Sequence, residues 1–253
     1  MHKGIFITVR TGSTRLPNKA LLKINGKSTI EHLIDRVKRT KLVDTIILCT
    51  TTLPEDDILC EIAEKNNIFY YRGSVEDKLE RWLGACKKYD IDFFVTADGD
   101  DLFCEPKLIE LALRQCETSD VEFIQGDKLV SGCFTYGIKR SALEKVCEIK
   151  DTSDTEMMWV YFTDTGLFDV QYLQNVPKEY KRNDIRMTLD YEDDLKFFTN
   201  VIEHFDGKIF GLLDVFLYIN DNPDVAKINY YLEDQWSVNQ KEKTKLIIRK
   251  DNE

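Results

Sequence analysis

Short apolar runs rich in β-branched and aromatic residues alternate, along the first half of the chain, with longer segments whose apolar positions recur every three or four residues. Gly4–Val9, Thr45–Thr50, Ile68–Tyr71, Asp92–Thr96 and Val121–Ile124 read as strands. Between them, Ser28-Thr29-Ile30-Glu31 has the form of a capping box, and Ile30, Leu33, Ile34 and Val37 then make one buried helical stripe. Pro54 followed by Glu55, Asp56 and Asp57 suits a helix first turn, with Ile58, Leu59, Ile62 and Ala63 facing inward. Ser74 is placed to cap a third helix that buries Leu79, Trp82, Leu83 and Cys86, and Pro106 opens a fourth over Ile109, Leu111, Ala112 and Leu113. This βαβα rhythm predicts an α/β fold of three layers, a mostly parallel sheet covered by helices on both faces.

The second half is less regular. Cys133–Ile138 and Leu167–Leu173 read as strands of a small antiparallel extension, with short helices at Ser141–Cys147 and Thr155–Phe162. Lys178–Asn183 reads as a mobile polar loop, Asp190 ends a further strand, and Leu195, Phe198, Val201, Ile202 and Phe205 give an amphipathic helix over Asp193–Phe205. The expected organisation is one α/β domain over 1–206 that includes the extension at about 130–185. A C-terminal segment, 207–253, holds two further helices and a charged tail, Gln240–Glu253, anchored by little beyond Leu246-Ile247-Ile248.

Charge and cysteines narrow the function. A formal charge of −10 opposes sequence-independent nucleic-acid binding, which needs a net basic face, so any anionic ligand must be met by local charge. The seven cysteines lie in apolar neighbourhoods without a Cys-x-x-Cys pair and read as thiols of a reducing cytoplasm. The start carries no apolar signal segment, and no run approaches the roughly 18 apolar residues of a membrane helix, so no membrane partner is expected. His2, His32 and His204 are too scattered for a zinc centre or a triad.

The chemistry is concentrated where the first strand ends. Val9-Arg10-Thr11-Gly12-Ser13-Thr14-Arg15-Leu16-Pro17-Asn18-Lys19 places a glycine and hydroxyl residues where the backbone can curl its N–H groups inward, amid three cations. That is a polyphosphate cradle. It matches neither the Gly-x4-Gly-Lys-Ser/Thr loop nor the Gly-x-Gly-x-x-Gly turn. Ligands of such sheets gather at the carboxyl ends of the strands, where Thr50-Thr51-Thr52, Arg72-Gly73 and Asp98–Asp101 also fall. Asp98, Asp100 and Asp101 crowd one strand end, which is costly unless a cation offsets them. Mg²⁺ suits such oxygens, taking one or two carboxylates along with phosphate and water. Arg81, four residues after Asp77, reads as one half of a helical ion pair or as a nucleotide contact.

The opening motif looks like that of the sugar-activating cytidylyltransferases, the spore-coat polysaccharide F-type proteins and the CMP-Kdo synthetases. Arg72-Gly73-Ser74-Val75-Glu76-Asp77-Lys78-Leu79-Glu80-Arg81 resembles the spore-coat group's Arg-Gly-Ser-x-x-Asp-x-Leu-x-Arg. Val95-Thr96-Ala97-Asp98-Gly99-Asp100 is similar to its strand ending in Gly-Asp, and Arg186–Leu195 to its Leu-Thr-Val-Asp-x-x-Glu-Asp segment. The resemblance implies a Rossmann-like fold of the nucleotide-diphospho-sugar transferase type, and a homodimer that uses CTP and a small anionic acceptor. It implies that Arg15 and Lys19 neutralise departing pyrophosphate and that Asp100 and Asp190 hold Mg²⁺. Arg10, Thr11, Gly12, Ser13, Thr14, Arg72, Gly73 and Ser74 are the implied nucleotide contacts, to which the strand ends add Thr51 and Asp98. The chain departs from the pattern at Gly99-Asp100-Asp101-Leu102, where the spore-coat group continues Gly-Asp-Cys-Pro and the Kdo group Gly-Asp-Glu-Pro.

Three alternatives stand beside this reading. A glycosyltransferase of the same sheet type would use Asp98-Gly99-Asp100 as its metal motif, although it has no pyrophosphate to cradle. The acceptor is open among acidic sugars, phosphorylated polyols, amino-acid derivatives and phosphonates. A catalytically silent binding subunit would keep the fold but has no need of Lys19, Asp100 and Asp190.

Overall fold

The computed structural model describes residues 1–249. The first half runs β1 (Lys3–Thr8), β2 (Lys23–Ile24), β3 (Lys27–Ser28), α1 (Thr29–Val37), β4 (Thr45–Thr51), α2 (Asp57–Lys65), β5 (Phe69–Gly73), α3 (Lys78–Tyr89), β6 (Phe93–Asp98) and α4 (Pro106–Thr118). There follow β7 (Phe123–Gln125), β8 (Tyr136–Lys139), α5 (Arg140–Ile149), α6 (Val160–Thr163), β9 (Val170–Tyr172), α7 (Glu192–Phe205), α8 (Leu212–Asp221), α9 (Pro223–Lys227) and α10 (Glu233–Lys243).

Seven strands form one sheet in the order β5-β4-β1-β6-β8-β7-β9, and β2 and β3 pair apart from it as a small antiparallel hairpin. β5, β4, β1 and β6 are mutually parallel. The antiparallel element of the main sheet is a single strand, β8, wedged between β6 and β7, rather than a separate extension. Alternation along the central strands sorts the core into two layers. Ile5, Ile7, Phe93 and Val95 face the cluster built by α1, α2, α4, α7 and α8. Phe6, Cys49 and Phe94 face the cluster under α3, α5 and α6. A sheet buried on both faces explains why these strands are almost wholly apolar. Leu212, Val215, Phe216 and Ile219 of α8 belong to the first cluster, so the core runs on across residue 206. Among the described residues no helix is long and apolar enough to cross a membrane, and all seven cysteines are free, with Cys147 alone less than fully buried.

Five local expectations change. Asp77, not Ser74, caps α3, its Oδ1 accepting from the Glu80 N–H at 3.0 Å, while Ser74 Oγ accepts from the Asp77 N–H at 3.1 Å. Thr155–Phe162 is helical only at its end, because the Thr155 hydroxyl donates to Asp77 (2.9 Å) and accepts from the Leu79 N–H (3.2 Å), a competing partner for the local backbone. Lys178–Asn183 contains a 3₁₀ turn, Lys178–Tyr180, tied down by buried Tyr180. The segment ending at Asp190 is extended but forms no strand ladder, since it bridges singly from Arg186 to Ser131 and the Leu189 N–H donates to the Asp100 carbonyl at 2.9 Å. The C-terminal segment, expected to hold two helices, holds three among the described residues, α8, α9 and α10. The tail then turns beside the end of α5, where the Asp151 N–H donates to the Ile247 carbonyl at 2.9 Å and the Arg249 N–H to the Ile149 carbonyl at 2.7 Å. The last four residues of the predicted charged tail lie outside the described residues.

The Ser131–Arg186 bridge and the Leu189–Asp100 bond bring the two acidic segments together, and Gly132 permits the approach. Its φ is +84°, and a Cβ there would fall 1.9 Å from the Met187 carbonyl oxygen. Gly132→Ala should therefore cost roughly 1–3 kcal/mol for backbone strain alone, more once the carbonyl is displaced. A urea melt reads the loss, and unchanged stability would contradict this packing.

Candidate active site

The carboxyl ends of β1 and β6 open into a cleft of about 960 Å³, within the range of small-molecule sites. Thr8 and Asp98 are register partners at the two strand ends, so the loop after β1 lies directly beside the acidic turn after β6. Arg10, Gly12, Ser13, Thr14, Arg15 and Lys19 line the cleft, as do Asp98, Asp100 and Asp190.

Lys19 joins the two halves of this site. Its Nζ donates to Asp100 Oδ2 at 2.6 Å and to Asp190 Oδ1 at 3.0 Å. Arg15 Nη2 reaches the same Asp190 oxygen at 2.7 Å. Burial by itself would lower the Lys19 pKa, but the two carboxylates outweigh it and raise it, while Lys19 holds Asp100 below the ordinary carboxylate value despite burial. Burial, together with repulsion from Asp100, raises Asp98 against the pull of Lys78, whose Nζ lies 3.8 Å away. Asp101 is buried and raised well above its usual value by burial and by Asp100 and Asp98, and Thr135 donates to it at 3.4 Å. The local sequence sets Lys19 firmly. It starts a 3₁₀ turn after Asn18, which takes a left-handed φ of 53°, and its carbonyl accepts from the Thr29 hydroxyl at the start of α1.

Behind Asp190 lies a charged cluster that sequence reasoning did not identify. The Asp194 carboxylate accepts from the backbone N–H groups of Asp190 (2.8 Å) and Tyr191 (2.9 Å), which fixes the entry to α7. Fully buried Arg186 donates to Asp194 at 3.0 Å, to Glu233 at 3.0 Å and to Asp190 at 3.4 Å, and stacks under Trp236. Asn229 closes the network, bonding Asp194 and the Arg186 carbonyl. Glu-Asp after a strand-like run was the only local signal for it.

Other expected contacts stand elsewhere. Thr11 donates through both its N–H (2.8 Å) and its hydroxyl (2.7 Å) to buried Asp56, which the Thr51 hydroxyl also meets, so this trio anchors the loop from below. Those hydrogen bonds outweigh burial and hold Asp56 below its usual pKa. Arg72 is turned to the Thr51 and Leu53 carbonyls and to Asp57, tying β5 to the turn before α2. Thr11, Thr51, Arg72, Gly73 and Ser74 are absent from the cleft lining, whereas Arg81 is part of it.

A sequence profile described as cytidylyltransferase matches residues 5–218. The chain belongs to the cytidylyltransferase family. The family's enzymes give this chain its class, and two relatives span most of it. An uncharacterised protein of Methanocaldococcus jannaschii is 31% identical over 226 residues, spanning 88% of this chain and 92% of its own. The spore coat polysaccharide biosynthesis protein SpsF of Bacillus subtilis is 25% identical over 233 residues, spanning 87% of this chain and 95% of its own. A cytidylyltransferase structure from Leptospira borgpetersenii superposes with a TM-score of 0.81 at 28% identity, covering 89% of this chain and 97% of the other.

The donor set of this cytidylyltransferase-family site fits a hard divalent cation. Two carboxylates address one point, now marked by an ammonium, and among the described residues no group of three His, Cys, Asp or Glu side chains forms a full protein cage. A divalent cation held there by Asp100 and Asp190 would take its other ligands from water and phosphate, as suits Mg²⁺. Arg186→Ala would strand buried Asp194 without its counter-charge, and should lower unfolding stability by about 3–5 kcal/mol. Arg15→Ala, on a more exposed side chain, should cost under about 1 kcal/mol. Denaturant melts of the two variants should differ accordingly, and equal losses would contradict the structural role given to Arg186.

Proposed function

We propose that this protein is a Mg²⁺-dependent cytidylyltransferase that transfers CMP from CTP to an anionic acceptor, an acidic sugar or a phosphorylated or phosphonate compound, and releases pyrophosphate. The carrying observation is the ammonium of Lys19 held between Asp100 and Asp190 at the foot of a Gly-Ser-Thr loop. A site for in-line displacement at phosphorus needs positioning and charge neutralisation rather than a protein nucleophile. No His or Cys is among the residues lining this cleft.

In this reading the N–H groups of Gly12, Thr14 and Arg15 cradle the triphosphate, while the Ser13 N–H donates to the Thr11 carbonyl at 2.7 Å, and Arg15 and Lys19 take up the charge of the departing pyrophosphate. Asp100 and Asp190 would hold Mg²⁺, which when bound neutralises charge at the α-phosphate. The acceptor oxygen forms its bond to the α-phosphorus as the bond to pyrophosphate breaks, and the product is a CMP-linked compound. Lys128, Lys241 and Lys243 line the cleft and supply positive charge for an acidic acceptor, in a chain that is otherwise acidic. The likeness to the spore coat polysaccharide biosynthesis protein of Bacillus supports a place in surface polysaccharide or glycoconjugate synthesis.

Pyrophosphate release should be measured with each NTP, Mg²⁺ and a panel of acidic sugars and phosphorylated acceptors. CTP with an acidic acceptor should support turnover. Silence with CTP across the panel, beside consumption of a nucleotide sugar, would replace this reading with glycosyl transfer. Lys19→Ala should lose about a hundredfold or more in kcat/KM, roughly 3 kcal/mol of transition-state stabilisation, and near wild-type turnover would remove Lys19 from the chemistry.

A further inference from the structure

None of the 11 residues of α10 is buried, although the helix lies against the cleft. Trp236, Ser237, Gln240, Lys241 and Lys243 line the cleft, and their spacing puts them on one side of the helix. That face is polar apart from one tryptophan, so no apolar stripe seats α10 on the core. A helix this short is marginal in water without such packing. Among the described residues its one ion pair is Glu233 with Arg186, so Lys241 and Lys243 face the cleft with no carboxylate within reach.

What holds α10 is a tether at each end. At its start Glu233 accepts from Arg186 at 3.0 Å and the Trp236 ring lies over the same guanidinium. Past its end the tail bridges from Ile248 to Lys150, the Arg249 N–H donates to the Ile149 carbonyl at 2.7 Å, and the Ile247 N–H donates to the Tyr161 hydroxyl at 3.2 Å. Leu246, Ile247 and Ile248 stay exposed, so this second tether is made of hydrogen bonds rather than packing. Both tethers end on residues that also hold the cleft. Arg186 donates to Asp190, and Lys150 is bound to Asp77, the cap of α3, whose first turn brings Lys78 and Arg81 to the cleft wall. α10 lies beyond residue 218, where the likeness to the family profile stops.

We propose that residues 233–249 form a strap across the cleft that the bound nucleotide orders. A triphosphate in the cleft brings negative charge toward Lys241 and Lys243, and a filled cleft gives Trp236, Ser237 and Gln240 something to pack on, the two things α10 lacks. Seating of the helix and binding of the nucleotide then favour each other. A seated α10 narrows the way for water to the reacting phosphorus and sets its two lysines for the acceptor. The proposal rests on the cytidylyl-transfer reading and adds a conformational step to it.

The test is backbone hydrogen exchange of the full chain, read by mass spectrometry with and without CTP and Mg²⁺ at concentrations that calorimetry shows to saturate the protein. Without nucleotide, the amides of α10 should exchange within about tenfold of an unstructured peptide. With CTP bound they should slow by ~10-fold or more. The double variant Lys241→Gln, Lys243→Gln should lose most of that slowing, with unliganded exchange and melting temperature as in the wild type. Arg249→Pro, which removes the donor to Ile149 at an exposed position, should weaken CTP binding by about fivefold or more at an unchanged melting temperature. An α10 already well protected without nucleotide, or exchange unchanged on saturation with CTP, would overturn the strap and leave the cytidylyl-transfer reading standing. Slowing that survives in the lysine variant, or wild-type CTP affinity in Arg249→Pro, would overturn it as well. A wild type that fails to bind CTP would overturn the cytidylyl-transfer reading itself, and the strap with it.

Discussion

Two carboxylates 90 residues apart in sequence, Asp100 and Asp190, are held so close that one ammonium satisfies both. Like charges brought together with little water between them repel, and the structure answers with cations from three directions: Lys19 between them, Arg15 on the open side and Arg186 from the interior. Much of the architecture around the cleft serves that arrangement. The bond from Leu189 to the Asp100 carbonyl sets the spacing, Gly132 allows the chains to approach, and Asp194 fixes the backbone at Asp190.

The sheet topology makes this economical. Parallel strands bring the ends of β1, β4, β5 and β6 to one side, so the cationic loop and the acidic turn are neighbours. Asp190 has to be delivered from beyond β9, and no ladder carries it there. A buried ionic cluster does so instead, with Arg186 at its centre, and the rim of the cleft is completed by α10, a helix that buries none of its own residues. Contacts through Glu233 and Trp236 to Arg186 therefore couple the seating of α10 to the position of Asp190.

What the sequence made legible was local. Strand alternation, the Ser28–Glu31 box and the cation-flanked Gly-Ser-Thr turn each depend on neighbours in the chain, and each is found where its spacing places it. The resemblance added Asp100 and Asp190, which do converge. The errors were non-local. Arg72 reads like a ligand contact but spends its donors on the carbonyls of Thr51 and Leu53, while Arg81, read as a nucleotide contact or as the ion-pair partner of Asp77, lines the cleft and leaves Asp77 to Lys150. Asp56 looks like an ordinary first-turn acid, yet it anchors Thr11 and Thr51 through contacts that only the folded sheet creates. Ser74 lost the cap of α3 to Asp77 because Thr155, from a distant segment, completes the Asp77 site.

The most direct check on the account is a double-mutant cycle on Asp100→Asn and Asp190→Asn, with turnover followed as a function of Mg²⁺ concentration. Asparagine preserves shape and removes charge. If the two carboxylates act through one cation, either change alone should slow turnover and raise the Mg²⁺ requirement, and the double variant should be little worse than either. Additive losses with an unchanged Mg²⁺ requirement would show that the two carboxylates serve no common ion, and would contradict the account.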